Sequence, residues 1–523
     1  MLRKMSACAA ALMLLWGATA SAAHAQERTN GVLVKFRESS AMKSLSNADR
    51  ARSLSAVTNA PLRVDNGPAP DMRLVKSADG SQSDVALAEA LAASPDVELA
   101  APNRLKRLHA MPNDPLFSSE QWYLKSNDYA AIRATGAWDI TTGSVSVPVA
   151  VVDSGVRLDH PDLAANFLPG YDFVDMVSDP SDPGDADPLD PRCRSTSSWH
   201  GTAVSGFIAG IGNNGQGIAG LNWYGRIVPV RVSGACQAAY DSDIIAGLRW
   251  AAGLPTVAGA PDNPNPVKVM NLSIGGWGTC REGGGAPSPY PALMRELIAS
   301  GVMLVSSAGN DSSNVVDEPA NCTGAIAVAA VTAEGYKTDY SSFGPEVLIS
   351  APGGSCNTRQ CKLLTTTSNL GKIGPAANGY TEKQGTSFSA PQVAGTIALM
   401  LAANPALMPD EVKAILRETA RPFPQDPSKS ACSGANVQEC NCTTSTCGAG
   451  ILDAEAAVRR AKVYAAPQPQ PQPQPQPKPT PQPQPQPDDP DQDSGGGGGA
   501  ADWLALMGLL GLAASGKRRT RKA

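Results

Sequence analysis

Residues 147–153 read Val-Pro-Val-Ala-Val-Val-Asp, and this run decides the fold. No polar residue interrupts it before its last position, so a strand made from it carries apolar side chains on both faces and must be covered on both. Four further runs share this character: 227–232 (Ile-Val-Pro-Val-Arg-Val), 267–273 (Val-Lys-Val-Met-Asn-Leu-Ser), 302–306 (Val-Met-Leu-Val-Ser) and 326–331 (Ile-Ala-Val-Ala-Ala-Val). Helical spacing appears between and after them, near 202–210, 241–252, 289–300 and 387–403. Strands buried on both faces and interleaved with helices imply an α/β fold, a doubly wound and mainly parallel sheet with helices on both faces.

Around this unit the chain changes character. Residues 1–25 have a basic start, an apolar middle and a small-x-small end at Ala23-His-Ala25, the pattern of a cleaved secretory signal. Residues 26–110 contain strand-like 31–36 and 97–102 and a helical 85–93, a small α+β unit ending in a basic, proline-containing boundary. The main unit is expected over 111–463. Residues 464–494 are dominated by alternating Pro and Gln, an extended spacer. Residues 495–523 combine a glycine run, a short hydrophobe and a basic tail. That order resembles a bacterial GlyGly-type sorting signal, whose membrane contact would be transient, and the plainer reading is a marginal membrane anchor.

Composition narrows the function. Apolar residues make up 42% of the 523, enough for a large core, while a net charge of −5 and 5% aromatic residues argue against nucleic-acid binding. Of the 11 cysteines Cys8 falls in the leader, and the ten that remain suit disulfides in an exported chain. Cys356 with Cys361 would close a small loop, and Cys432, Cys440, Cys442 and Cys447 are expected to pair among themselves. Cys440-x-Cys442 has no histidine nearby, so zinc is not expected.

The chemistry centres on residues 384–395, Gln-Gly-Thr-Ser-Phe-Ser-Ala-Pro-Gln-Val-Ala-Gly, which open an apolar helix with Ser387 in its first turn. Unpaired N–H groups at a helix start suit a developing oxyanion, although a serine there can equally be a cap. A nucleophile needs a base, and the base needs an orienting group. Of the four histidines, His24 and His109 lie in segments expected to be removed. His160, in Leu158-Asp-His-Pro-Asp-Leu163, suits a structural hydrogen bond; His200 opens the helix of Trp199-His-Gly-Thr-Ala-Val-Ser-Gly206 and is the expected base. Asp153 ends a buried strand at the edge where such sheets place their sites, so it is the expected partner of that imidazole. Asn310, closing Val305-Ser-Ser-Ala-Gly-Asn310, offers an amide to an oxyanion beside the Ser387 N–H.

The segments around Asp153, His200, Asn310 and Ser387, in that order, resemble the four signature segments of the subtilisin-like serine proteases. The resemblance covers about 111–463. It implies a monomeric secreted serine endopeptidase acting on polypeptides, with residues 26–110 as an inhibitory propeptide. It also implies that Ser273, Ile274 and Gly275 bind the substrate backbone as an added strand, and that Ala308 and Gly309 line the pocket for the residue before the scissile bond. Many relatives carry a second histidine where Ala203 stands, which is no part of the triad. Calcium is the expected cofactor: the loop between Asp153 and His200 is acidic, and Asp182, Asp185, Asp187 and Asp190 are its densest group. Two other readings call for different sequences. A silent binding module would lack a triad residue, and an esterase of the α/β-hydrolase type would carry Gly-x-Ser-x-Gly and a different chain order.

Overall fold

The computed structural model describes residues 29–104, 111–182, 197–234, 238–282, 287–356 and 361–464. The leader, the Pro/Gln segment and the C-terminal segment lie outside them. Among the described residues no helix is long and apolar enough to cross a membrane.

Residues 29–104 fold around a core of their own. Val32, Val34 and Phe36 alternate inward from the strand Thr29–Phe36 and meet Leu54, Val75, Leu87, Leu91 and Val97. The sheet is antiparallel, in the order Leu62–Asn66, Met72–Ser77, Thr29–Phe36, Val97–Arg104. Its two α-helices, Asn47–Thr58 and Asp84–Ala92, are each started by a serine, Ser46 and Ser83, whose hydroxyl accepts a backbone N–H of the first turn.

In the larger unit, labels run in chain order over the strands of one sheet: β1 (Pro148–Asp153), β2 (Tyr171–Asp172), β3 (Arg226–Arg231), β4 (Val269–Leu272), β5 (Met303–Ser307), β6 (Ile326–Val331) and β7 (Val347–Pro352). The spatial order is β7-β6-β5-β4-β1-β3-β2, and every pairing is parallel. The strand from the 147–153 run is therefore central, with Val149 opposite Ile227 on one side and Val269 on the other.

The absence of polar alternation in that run has the expected consequence. Val149 and Val151 enter one core with helices α1 (His200–Ala209), α4 (Thr386–Ala403), α5 (Pro409–Thr419) and α6 (Ala454–Lys462). Ala150 and Val152 enter the opposite core with α2 (Asp241–Ala251) and α3 (Tyr290–Ala299). Helix α4 is apolar all round, and Thr386 through Leu401 are buried, as a helix packed in the centre of a large domain must be. Strand β7 and an antiparallel hairpin of Leu364–Asn369 with Asn378–Lys383 are among the elements without a counterpart in the apolar pattern.

Disulfides join Cys280 to Cys322, Cys356 to Cys361, Cys432 to Cys440 and Cys442 to Cys447. The small loop and the pairing within the last four agree with expectation. Cys193 and Cys236 lie outside the described residues.

Candidate active site

The chain leaves β1 toward β3 on one side and returns to β4 on the other, so a crevice opens at the carboxyl ends of β1, β4 and β5, where open α/β sheets bind ligands. Asp153 ends β1, Ser273 follows β4, and Asn310 lies three residues beyond β5.

Asp153 is 1% exposed, and its carboxylate accepts from the Ser154 N–H at 2.8 Å. His200 stands at the first position of α1, after Trp199 in a left-handed conformation. Its Nδ1 lies 2.8 and 3.0 Å from the two oxygens of Asp153. A carboxylate only accepts, so Nδ1 carries the proton and Nε2 is the basic nitrogen of the neutral ring. Two glycines of the motif make this approach sterically open. A methyl group at Gly201 would fall 2.1 Å from Gly155 O, and one at Gly206 would fall 2.4 Å from Thr367 Oγ1.

Ser387 is the second residue of α4, so its N–H has no partner within the helix. Gly385 precedes the helix with φ 142°, a conformation open to glycine alone in practice. Pro391 sits deeper in the helix than its first turn. Lacking an N–H, it cannot satisfy Ser387 O. Ser273 supplies the missing donor, its Oγ lying 2.8 Å from that carbonyl. The Ser387 hydroxyl donates to Ser273 O at 3.2 Å, and the His200 ring packs on Phe388 with centroids 5.3 Å apart.

Asn310 is oriented by its neighbours. Its Oδ1 accepts from Thr386 N at 2.9 Å and Thr386 Oγ1 at 3.0 Å, which leaves the NH2 end to face outward. Asp153, His200, Ser387 and Asn310 all border one cavity of about 190 Å3, together with Ser273, Ile274 and Gly275.

Gly309 borders the same cavity. Ala308 does not: its methyl is fully buried among Val316, Ala320 and Val347, so it supports the wall from behind. His160 is fully buried and lies away from this group. Its Nδ1 accepts from Asp162 N, its Nε2 meets Gly379 O at 3.0 Å, and burial lowers its pKa. That is the structural role its loop suggested. Of the acidic group expected to hold calcium, only Asp182 is described. It is fully buried, and it accepts from Ser154 Oγ at 3.1 Å, the same hydroxyl that accepts from Gly201 N. It therefore braces the loop beneath the Asp153–His200 pair. Asp185, Asp187 and Asp190 lie outside the described residues, and among the described residues no carboxylates converge as a cation site.

Asp317, which no sequence motif marks, also borders the cavity. Burial raises its pKa to about 6, with the charge of Asp311 adding to the effect.

The model of the subtilase family matches residues 145–450. The chain belongs to the subtilase family. It is 38% identical over 390 residues to an extracellular protease of Xanthomonas campestris, covering 71% of this chain and 60% of that one. It is 34% identical to an extracellular basic protease of Dichelobacter nodosus, covering 64% of this chain and 56% of the relative, so the subtilase spans less than two-thirds of these relatives' length. A solved protease structure from Pseudoalteromonas arctica superposes with a TM-score of 0.59 at 38% identity, covering 67% of this chain and all of the other. The doubly wound parallel sheet is the fold of that neighbour. Subtilases generally bind structural calcium.

Proposed function

We propose that this subtilase is a secreted serine endopeptidase that hydrolyses polypeptides through an acyl-enzyme intermediate. The observation that carries the proposal is the Asp153–His200 pair opening on the cavity that Ser387 and Asn310 also border. His200 Nε2 removes the Ser387 hydroxyl proton as Oγ attacks the peptide carbonyl, and Asp153 holds the ring and stabilises the imidazolium. The oxyanion is held by the Ser387 N–H and the Asn310 amide. The imidazolium protonates the leaving amine, and water, deprotonated by the same nitrogen, releases the acyl group. The run Ser273–Gly275 offers its main chain to an extended substrate.

Residues 26–110 act as the inhibitory propeptide in this reading, supported by the separate core of 29–104. Export by the leader agrees with the names of the extracellular relatives. Ser387→Ala is the test of both parts. It should fold, lower peptide hydrolysis by roughly a million-fold, the loss this change causes in a subtilisin, and leave residues 26–110 attached by intact mass. Processing and hydrolysis at wild-type rates would overturn the reading.

A further inference from the structure

The cavity has an acidic wall that the proposed chemistry does not use. Asp317 is joined through its N–H to Ala308 O at 2.9 Å. The next residue, Glu318, pairs with Gly276 through two backbone hydrogen bonds of 2.9 and 3.0 Å. The 317–318 segment is thereby fastened both to the run that holds Asn310 and to the run expected to hold the substrate. The carboxylate fills space that two glycines leave open: a methyl at Gly309 would fall 2.5 Å from Asp317 Oδ2, and one at Gly275 would fall 3.1 Å from Asp317 Cβ. Its environment contains burial and the like charge of Asp311, and among the described residues no cation or hydrogen-bond donor compensates them. A carboxylate held this way, partly desolvated and unpaired, is a cost that a positively charged ligand removes.

We propose that Asp317 sets the specificity of the substrate pocket, selecting Lys or Arg as the residue before the scissile bond. The inference rests on the endopeptidase reading and deepens it. Gly309 and Asn310 are consecutive, so the wall that carries Asp317 adjoins the amide that holds the oxyanion, and the side chain next to the scissile carbonyl is the one that reaches it. A long basic side chain lays its methylene stem along the Gly275 and Gly309 backbone and sets its charged end against the carboxylate. An apolar side chain would leave that carboxylate desolvated and unpaired, and an acidic one would meet a like charge.

The test uses mature wild-type protein and Asp317→Asn on peptides identical except for Arg, Lys, Leu or Glu before the cleaved bond. At pH 8 the wild type should favour Arg and Lys over Leu at least about tenfold in kcat/KM and should reject Glu. Asp317→Asn should lower Arg and Lys cleavage by roughly 10- to 100-fold and leave Leu cleavage within about threefold. Asp317→Lys, as a second variant, should move the preference to Glu. Equal cleavage of Arg and Leu peptides by the wild type, or an unchanged basic preference in Asp317→Asn, overturns the proposal while Ser387-dependent cleavage leaves the endopeptidase reading standing. Absence of Ser387-dependent cleavage on every peptide overturns both.

Discussion

Asp317 shows at the scale of one residue how function and stability pull apart. Its carboxyl titrates near 6, raised by burial and by Asp311. The groups around it are Asp311, the adjoining Glu318, and His200 and Asp153 across the cavity. As pH falls through about 6 the carboxylate is neutralised, so the kcat/KM ratio of an Arg peptide to a Leu peptide should fall. The ratio cancels the titration of His200, which both substrates share; a ratio flat from pH 8 to 5 would contradict this assignment. The stability sign follows from the same shift. A raised pKa means that the carboxyl's contribution is complete below the unfolded value near 4 and is lost as pH rises through 6. Asp317→Asn should therefore be the more stable protein at pH 8, by about 1 kcal/mol after discounting for partial exposure, and gain nothing at pH 4. Asp153, His200, Asn310 and Ser387 were legible because each occupies a strand end or helix start that its residue type does not otherwise require. Asp317 was not, because nothing in Val315-Val-Asp-Glu-Pro319 marks it; its meaning lies in the space left by Gly309 just upstream and by Gly275 beyond another strand.

Elements were legible where apolar side chains form them. The strands of the 147–153 type announced both faces of the sheet, and Val149 and Ala150 enter opposite cores. The hairpin of 364–369 was silent because its buried side chains are threonines: Thr366 and Thr367 donate to Ala203 O and Thr202 O, both at 2.7 Å. Helix 47–58 was silent for a similar reason, since its inward residues are Arg50, Leu54 and Thr58. Pro391 lies inside α4, yet the helix continues because Ser273 takes over the bond that proline cannot make. Ser273→Ala removes that donor and also leaves the Asn271 amide without its partner. It should lower the thermal midpoint by the equivalent of about 1–3 kcal/mol. A midpoint equal to wild type would mean that Ser387 O finds water instead.

The whole molecule joins two separately cored folds in sequence, a small antiparallel α+β unit and the large parallel sheet. The large sheet gathers its site from residues as far apart in sequence as Asp153 and Ser387 because parallel strands connected by helices all end on one edge. The described disulfides at Cys356–Cys361, Cys432–Cys440 and Cys442–Cys447 close short loops, whereas Cys280–Cys322 closes a longer one; Cys432, Cys440, Cys442 and Cys447 share a small core with Val331, Phe343 and Ile451. Under the proposed mechanism this edge makes Ser387 a nucleophile through His200. Labelling the protein with a fluorophosphonate and mapping the adduct by mass spectrometry tests this. One adduct is expected, on the peptide containing Ser387, and it should be lost in His200→Ala. An adduct on another serine, or equal labelling of Ser387 without His200, would contradict it.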